Sequence, residues 1–99
     1  IKISAPHHLS VQIEVENLSE LKEVLNAGAK LILLDNFDIS SLKQAVEISA
    51  KRAILEASGG IDLSNVREIA MTGVDRISIG GLTKNIQAID LSMRFRNKA

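Results

Sequence analysis

The residues best suited to chemistry in this sequence are acidic side chains that follow short apolar runs at a regular spacing. Glu14, Asp35 and Glu56 stand 21 residues apart, and each lies at or near the end of a run rich in Val, Ile or Leu. Carboxylates that come together can share a divalent cation such as Mg²⁺, which prefers oxygen ligands, or hydrogen-bond sugar hydroxyls. Glu14 and Asp35 are therefore candidate contacts for a metal ion or a sugar.

A simpler interpretation exists, because an acid after a strand can cap the helix that follows. Capping is favoured for three acids: Glu16, Asp38 and Asp62. For Asp35 a role in binding is favoured over capping, since four apolar residues precede it and Asn36-Phe37 separate it from the expected cap. Glu14 is less distinctive, because Glu16 points to the same side of the strand and could take its place.

Two pairs of adjacent glycines form a second candidate site. Ser58-Gly59-Gly60 and Gly80-Gly81 each follow an apolar run and precede a segment with helical spacing. Adjacent glycines let backbone amides approach an anion, and a helix N-terminus attracts phosphate. A single pair would favour a plain tight turn. Two pairs after successive strands favour phosphate binding, and a short helix from Leu82 would match the phosphate sites of α/β barrels.

Alternating strands and helices must position these residues. Apolar, β-branched runs predict strands over 11–16, 31–34, 53–55 and 76–79. Helices are predicted to begin near Asn17 (with Glu20 completing a capping box), Asp38 or Ser40, Asp62 or Ser64, and Leu82. The run 31–34 is apolar on both faces, which predicts helices on both sides of it. Residues 1–10, which contain Pro6, are predicted to form a loop, 11–89 the βα units, and 90–99 a tail.

Strands alternating with helices predict a parallel sheet with right-handed crossovers. The carboxyl ends of the strands would then meet at one edge, either the rim of a (β/α) barrel or the crevice of an open doubly wound sheet. Four units are half of a barrel, which typically needs about 250 residues. The predicted fold is therefore α/β, with parallel βα units forming part of an incomplete, TIM-like barrel. A first residue of Ile1 rather than Met is consistent with a piece of a longer protein.

Composition excludes several classes of function. Twelve Lys and Arg balance 12 Asp and Glu, so no net charge recruits nucleic acid or an anionic membrane. The apolar runs are far shorter than the ~20 residues of a membrane span. The sequence has no Cys, which excludes disulfides, thiol catalysis and Cys-ligated zinc. We expect a cytoplasmic protein without nucleic-acid or membrane partners.

Four segments, 11–17, 34–37, 55–60 and 80–84, resemble the C-terminal part of the quinolinate phosphoribosyltransferase family (carboxylating nicotinate-nucleotide pyrophosphorylases) in order and in spacing. Segment 88–95 is also similar to the end of that family. Gly81 departs from the pattern, in which Ala is usual. The resemblance covers nearly all of the chain from Val11 onward, and its specificity comes from the series of segments rather than from one motif.

The resemblance implies the C-terminal portion of an incomplete barrel in a dimeric or larger enzyme of NAD biosynthesis. That enzyme uses Mg²⁺ to couple quinolinate to phosphoribosyl pyrophosphate, giving nicotinate mononucleotide, pyrophosphate and CO₂. Glu14 and Asp35 would contact the ribose hydroxyls and the metal-bound phosphoribosyl group. The 5′-phosphate would bind Ser58-Gly59-Gly60 and Gly80-Gly81, whereas Glu56, on the same rim, receives no firm role.

The resemblance also implies what this chain lacks. The family holds the dicarboxylate quinolinate with a cluster of Arg, Lys and His, which comes from earlier residues or from a second subunit and has no counterpart in this sequence. We therefore expect the 99-residue chain to be inactive alone. The alternatives are a non-catalytic phosphate-binding half-barrel module and another phosphate-binding barrel enzyme.

Overall fold

The computed structural model describes the backbone of residues 2–4 and residues 11–86, which form a six-stranded mixed sheet with three helices. The strands are β1 (Lys2–Ser4), β2 (Gln12–Val15), β3 (Leu31–Asp35), β4 (Ile54–Ser58), β5 (Arg76–Ile79) and β6 (Leu82–Asn85). The helices are α1 (Leu18–Asn26), α2 (Ile39–Ser49) and α3 (Val66–Ala70). The rest of the predicted loop (residues 1 and 5–10), the last turn of the predicted final helix and the tail 90–99 lie outside the described residues. Among the described helices, none has the length and apolar character needed to cross a bilayer.

The central strands β2 to β5 are parallel and lie in sequence order. Helix α1 packs on α2, and α2 packs on α3. Right-handed crossovers between strands in strict sequence order leave all the connecting helices on one face, as in the wall of a barrel. A doubly wound sheet instead reverses its strand order once. The order confirms the α/β, barrel-like prediction, although the sheet is not closed within the described residues.

The hydrophobic core lies between this one layer of helices and the sheet. Alternate residues of the central strands face the helices, and the most deeply buried of them are Val15, Ile32, Leu34 and Ile77. Ile13 and Ile79, on the same face, are partly buried. Leu31 and Leu33 point to the other face and are only half-buried. The prediction that helices cover 31–34 on both sides is therefore wrong, because sequential crossovers place helices on one side only.

Polar side chains start two of the helices, as the sequence predicts. Asn17 Oδ1 accepts a hydrogen bond of 2.8 Å from the Glu20 N–H, and Glu20 accepts one of 2.8 Å from the N–H of Glu16. Asp38, rather than Ser40, caps α2 by accepting from the Ser41 N–H at 2.8 Å. Each cap lies between a parallel strand and the next helix, so it fixes the point at which the backbone turns away from the carboxyl edge of the sheet.

The predicted third helix begins later than expected. Asp62 accepts hydrogen bonds from the N–H and the hydroxyl of Ser64, and the Asp62 N–H donates to Asn65 Oδ1. These bonds form a turn before α3 rather than a helix start, so α3 begins at Val66. Asp and Ser hydrogen-bond local backbone in turns as readily as at caps, so their positions alone predict the helix start poorly.

Two predicted elements at the ends are wrong. Lys2–Ser4, predicted as part of a loop, forms β1 and pairs antiparallel with Gln12–Glu14 of β2. Leu82–Asn85, predicted as a helix, forms β6 antiparallel to β5. In both cases backbone pairing with an existing edge strand determines the structure, and side-chain periodicity over three or four residues does not reveal it.

Candidate functional site

Three carboxylates converge at the carboxyl ends of β2 and β3. Glu14 lies in β2, Glu16 follows it, and Asp35 ends β3. One oxygen atom of each lies within 4.8 Å of those of the other two. The parallel register pairs Val15 with Leu34, so the next residue of each segment comes alongside, and Glu14 shares their face by the two-residue alternation of a strand. The structure thus brings Glu14 and Asp35 together as predicted.

Glu16 lies in this acid cluster (Glu14, Glu16 and Asp35) together with Glu14, whereas the sequence favoured a capping role for Glu16 and offered it otherwise only as a replacement for Glu14. It was expected to cap α1, but Asn17 supplies the capping side chain, and Glu16 contributes its backbone N–H to Glu20 instead. Its carboxylate is left on the side of Glu14 and Asp35. The i, i+2 spacing with Glu14 contained this signal.

Asp35 is held at the rim through contacts with β4. Ser58 is its register partner, and the Ser58 hydroxyl donates to Asp35 Oδ1 at 3.5 Å. The next residue, Asn36, donates its N–H to the Ser58 carbonyl at 2.8 Å and has a φ of +63°. Asn is among the residues that tolerate this left-handed conformation best. The candidate acid and the first candidate phosphate turn are therefore side by side.

The acid cluster fits a hard divalent cation. It offers carboxylate oxygens, the ligand type that Mg²⁺ prefers, and Mg²⁺ usually keeps several waters. Glu14 and Asp35 are half-buried and Glu16 is exposed, so a hydrated ion can reach them from solvent. Three like charges at this separation repel one another, and a bound cation would relieve that repulsion.

The turn Ser58-Gly59-Gly60 needs its glycines for both conformation and space. Gly59 and Gly60 have φ angles of +92° and +67°, which side chains disfavour. A Cβ on Gly59 would lie 2.9 Å from the backbone N of Asn36, whereas one on Gly60 would meet nothing within 4 Å. Gly59 therefore allows β4 and the end of β3 to approach closely.

Replacing Gly59 with Ala is expected to lower the melting temperature more than replacing Gly28, which provides a matched control. Gly28 has nearly the same φ, +91°, but open space around the Cβ position. Both variants incur the left-handed backbone strain of about 1–3 kcal/mol, whereas Gly59→Ala also pushes Asn36 away from β4. Thermal unfolding of the two variants measures the difference. Equal decreases in melting temperature would show that the close contact of the new Cβ with Asn36 does not destabilise the fold.

Gly80-Gly81 forms a different structure from the one predicted. Ile79 pairs with Leu82 in the antiparallel register of β5 and β6, so the two glycines are the whole loop of a hairpin. Their φ angles are +57° and +85°, the positive pair that a type I′ turn requires. Strand β6, and not a helix N-terminus, follows the turn directly, so any anion at this turn would be held by its backbone amides and not by a helix dipole.

Glu56 is the most buried acid of the sheet, with 5% of its surface exposed. Gln12 Nε2 donates to its Oε1 at 3.4 Å, and Thr83 Oγ1 donates to its Oε2 at 2.9 Å. Gln12 and Thr83 lie on β2 and β6, each two strands away from β4. Each hydrogen bond therefore crosses one intervening strand, β3 or β5. Side chains reach across a neighbouring strand most readily on a concave surface, so Glu56 marks the inside of the curved sheet.

Asp38 and Asp62 accept hydrogen bonds from loop and helix-start residues and do not belong to the acid cluster. The backbone N–H of Ser41 lowers the pKa of Asp38 below its ordinary value, and the Ser64 hydroxyl lowers the pKa of Asp62. Since the folded state holds these pKa values down, both contributions to stability are present near neutral pH and are lost as the pH falls through the acidic range.

A cavity of about 380 Å³ adjoins Gly59 and Gly60 on the side of the β3–α2 connection and α3. Its lining includes the acidic residues Asp38 and Glu68 but neither Gly80 nor Gly81. Carboxylates repel an anion. A phosphate bound by both glycine turns would therefore lie outside this cavity.

Comparison with known proteins gives consistent matches. The family described as "Quinolinate phosphoribosyl transferase, C-terminal domain" matches residues 1–94. A probable carboxylating nicotinate-nucleotide pyrophosphorylase of Methanocaldococcus jannaschii is 38% identical over 90 residues, covering 84% of this chain. The carboxylating nicotinate-nucleotide pyrophosphorylase of Mycobacterium leprae is 36% identical over 96 residues, covering 94% of this chain.

Solved structures agree with these matches. The nicotinate-nucleotide pyrophosphorylase of Ehrlichia chaffeensis superposes with a TM-score of 0.70 at 46% identity, over 75% of this chain and 27% of that one. The Francisella tularensis protein of the same name gives a TM-score of 0.71 at 40% identity, over 79% and 29%. The chain spans about a third of the length of the two curated relatives, 32% and 34%.

Proposed function

Because the chain belongs to the quinolinate phosphoribosyltransferase C-terminal domain family, we propose that it is part of an enzyme that transfers a phosphoribosyl group from phosphoribosyl pyrophosphate to quinolinate. The products would be nicotinate mononucleotide, pyrophosphate and CO₂, in NAD biosynthesis. The observation that carries this proposal is the acid cluster beside Ser58, whose hydroxyl donates to Asp35. The names of the relatives support it.

In this proposal the chain provides the half of the active site that binds the sugar and the phosphate. Glu14 and Asp35 accept hydrogen bonds from the ribose hydroxyls and, together with Glu16, hold Mg²⁺ directly or through its waters. When bound, Mg²⁺ supplies positive charge against the pyrophosphate leaving group. The backbone amides of Ser58-Gly59-Gly60 and Gly80-Gly81 bind the 5′-phosphate, and the glycines of both turns place no Cβ in its way.

The quinolinate half of the site must come from elsewhere. A dicarboxylate needs several cationic donors, and the acid cluster, which offers carboxylates, would repel it. The proposed sources are the remainder of the enzyme and a second subunit. The oligomeric state and the cytoplasmic location remain predictions, and some relatives are named as mitochondrial or chloroplastic.

Product formation tests the proposed function directly. A full-length enzyme that carries these 99 residues should form nicotinate mononucleotide and release CO₂ when given both substrates and Mg²⁺, and should form neither when one substrate is omitted. Phosphoribosyl transfer to another acceptor would indicate a different barrel enzyme. Phosphate binding without transfer would indicate a non-catalytic module.

The Gly80-Gly81 turn can be tested without breaking the hairpin. Asn-Gly is favoured in type I′ turns, so Gly80→Asn should keep the β5–β6 pairing while placing a side chain over the proposed phosphate position. We expect weaker phosphoribosyl pyrophosphate binding, with the affinity for quinolinate nearly unchanged. Calorimetric titration of the full-length enzyme measures both, and Gly28→Asn, far from the rim in α1's C-terminal turn, is the control. Unchanged binding of phosphoribosyl pyrophosphate would remove this turn from the phosphate site.

A further inference from the structure

Glu56 requires an explanation that the roles proposed above do not provide. It is 5% exposed, and burial of a carboxylate costs free energy unless hydrogen bonds compensate for lost water. An apolar residue of similar volume would often serve stability equally well. A carboxylate at this position therefore indicates that its hydrogen bonds have a use beyond filling the sheet.

The two hydrogen bonds connect strands that are not neighbours. Thr83 on β6 donates to one carboxylate oxygen at 2.9 Å, and Gln12 on β2 donates to the other at 3.4 Å. Backbone pairing joins β4 to β3 and β5 only. The side chain of Glu56 thus adds direct links across the concave face in both directions.

The link to Thr83 connects the two glycine turns. Glu56 stands two residues before Ser58 in β4, and Thr83 stands two residues after Gly81 in β6. Within the described residues, β6 pairs with β5 alone, and all four of its side chains are exposed. The hydrogen bond from Thr83 is therefore a side-chain contact that holds this edge strand against the sheet beneath the rim.

We propose that Glu56 is a positioning residue for the phosphoribosyl donor: through Thr83 it holds the Gly80-Gly81 turn at a fixed separation from the Ser58-Gly59-Gly60 turn. This inference rests on the proposed function, because the two turns must act on one phosphate. The phosphate oxygens need amide donors at about 2.7–3.2 Å from both sides. A hairpin free to swing by more than a few tenths of an ångström would lose that geometry.

Thr83→Val tests the link at the exposed end. Valine has a similar shape and favours strands, so β6 should form, but the hydroxyl donor to Glu56 is absent. The Kd of the full-length enzyme for phosphoribosyl pyrophosphate, measured calorimetrically, is expected to rise about tenfold, the size expected for a lost hydrogen bond to a charged group. The matched control, Thr83→Ser, keeps the hydroxyl and should stay within about twofold of the wild type.

Glu56→Gln separates positioning from a charge effect. A Gln side chain can accept from Gln12 and donate to Thr83, whose hydroxyl also accepts hydrogen bonds, so the link survives without the negative charge. We expect near-wild-type Kd and kcat. A large fall in kcat with Kd unchanged would overturn the proposal, because it would show that the charge of Glu56 acts on the reacting atoms.

An unchanged Kd for Thr83→Val would also overturn the proposal, whatever happens to its melting temperature, since a purely structural bond would affect stability alone. The KM for quinolinate should not change in any of these variants. Failure of the proposed function is recognised separately. In that case the wild-type enzyme would form no nicotinate mononucleotide, while the calorimetric comparison of the variants would still report whether the link controls donor binding.

Discussion

Asp35→Asn in the full-length enzyme is expected to lower kcat by about 100- to 1,000-fold, the typical effect of removing one preorganised electrostatic contact to a transition state. The amide is nearly the same shape as the carboxylate and can still accept a hydrogen bond from the Ser58 hydroxyl, which lies 3.5 Å from Oδ1. Folding should therefore change little. What is lost is the negative charge that the proposed Mg²⁺ and the ribose require, and steady-state kinetics at saturating substrates measures that loss.

Asp62→Asn is the control for removing an acid from the same edge of the sheet. Asp62 accepts from Ser64 in the loop before α3 and is not a member of the acid cluster. The kcat of the Asp62→Asn variant should stay near that of the wild type. If Asp35→Asn kept near-wild-type turnover but melted several degrees lower, Asp35 would have a structural role and the acid cluster would not be catalytic.

The 99-residue chain is expected to form no detectable nicotinate mononucleotide on its own. Its acids and glycine turns would hold one substrate, whereas a two-substrate reaction gains about 7–11 kcal/mol from holding both reactants in register. The assay compares the chain with the full-length enzyme at equal concentration, after circular dichroism has established that the chain is folded.

The mass of the chain in solution completes this test. Within the described residues, β1 and β6 each pair with a single strand, and unpaired strand edges promote association with other chains. Light scattering should therefore find species heavier than the 10.7 kDa monomer. An active monomer would contradict the assignment of half a site to this chain.

The features that the sequence predicted well are those that local patterns determine. Short apolar or alternating runs and capping side chains such as Asn17 and Asp38 located β2 to β5, α1 and α2. The 21-residue spacing placed Glu14 and Asp35 at one edge, and the parallel register brings their carboxylates together. Such information is contained within single βα units.

The features that it missed depend on contacts between units. The capping interpretation of Glu16 overlooked the neighbouring strand, and the helix predicted from Leu82 overlooked the free edge of β5 that pairs with it. The hydrogen bonds of Glu56 join residues 44 and 27 positions apart in sequence. No periodicity within one element predicts contacts of this kind, because the curvature of the sheet determines which side chains meet.

The strictly sequential strand order also bears on how this part of the protein folds. Within the described part of the chain, every strand pairs only with strands adjacent to it in sequence. Residues paired between neighbouring parallel strands, such as Ile13 with Ile32 or Glu56 with Arg76, are about 20 positions apart. Closing loops of this length costs little entropy compared with joining distant segments, and local pairing is associated with fast folding. Each βα unit can therefore add to the one before it, as repeats do in a solenoid. The long-range side-chain contacts of Glu56 need the strands on both sides of β4 in place, so we expect the concave face to be completed last.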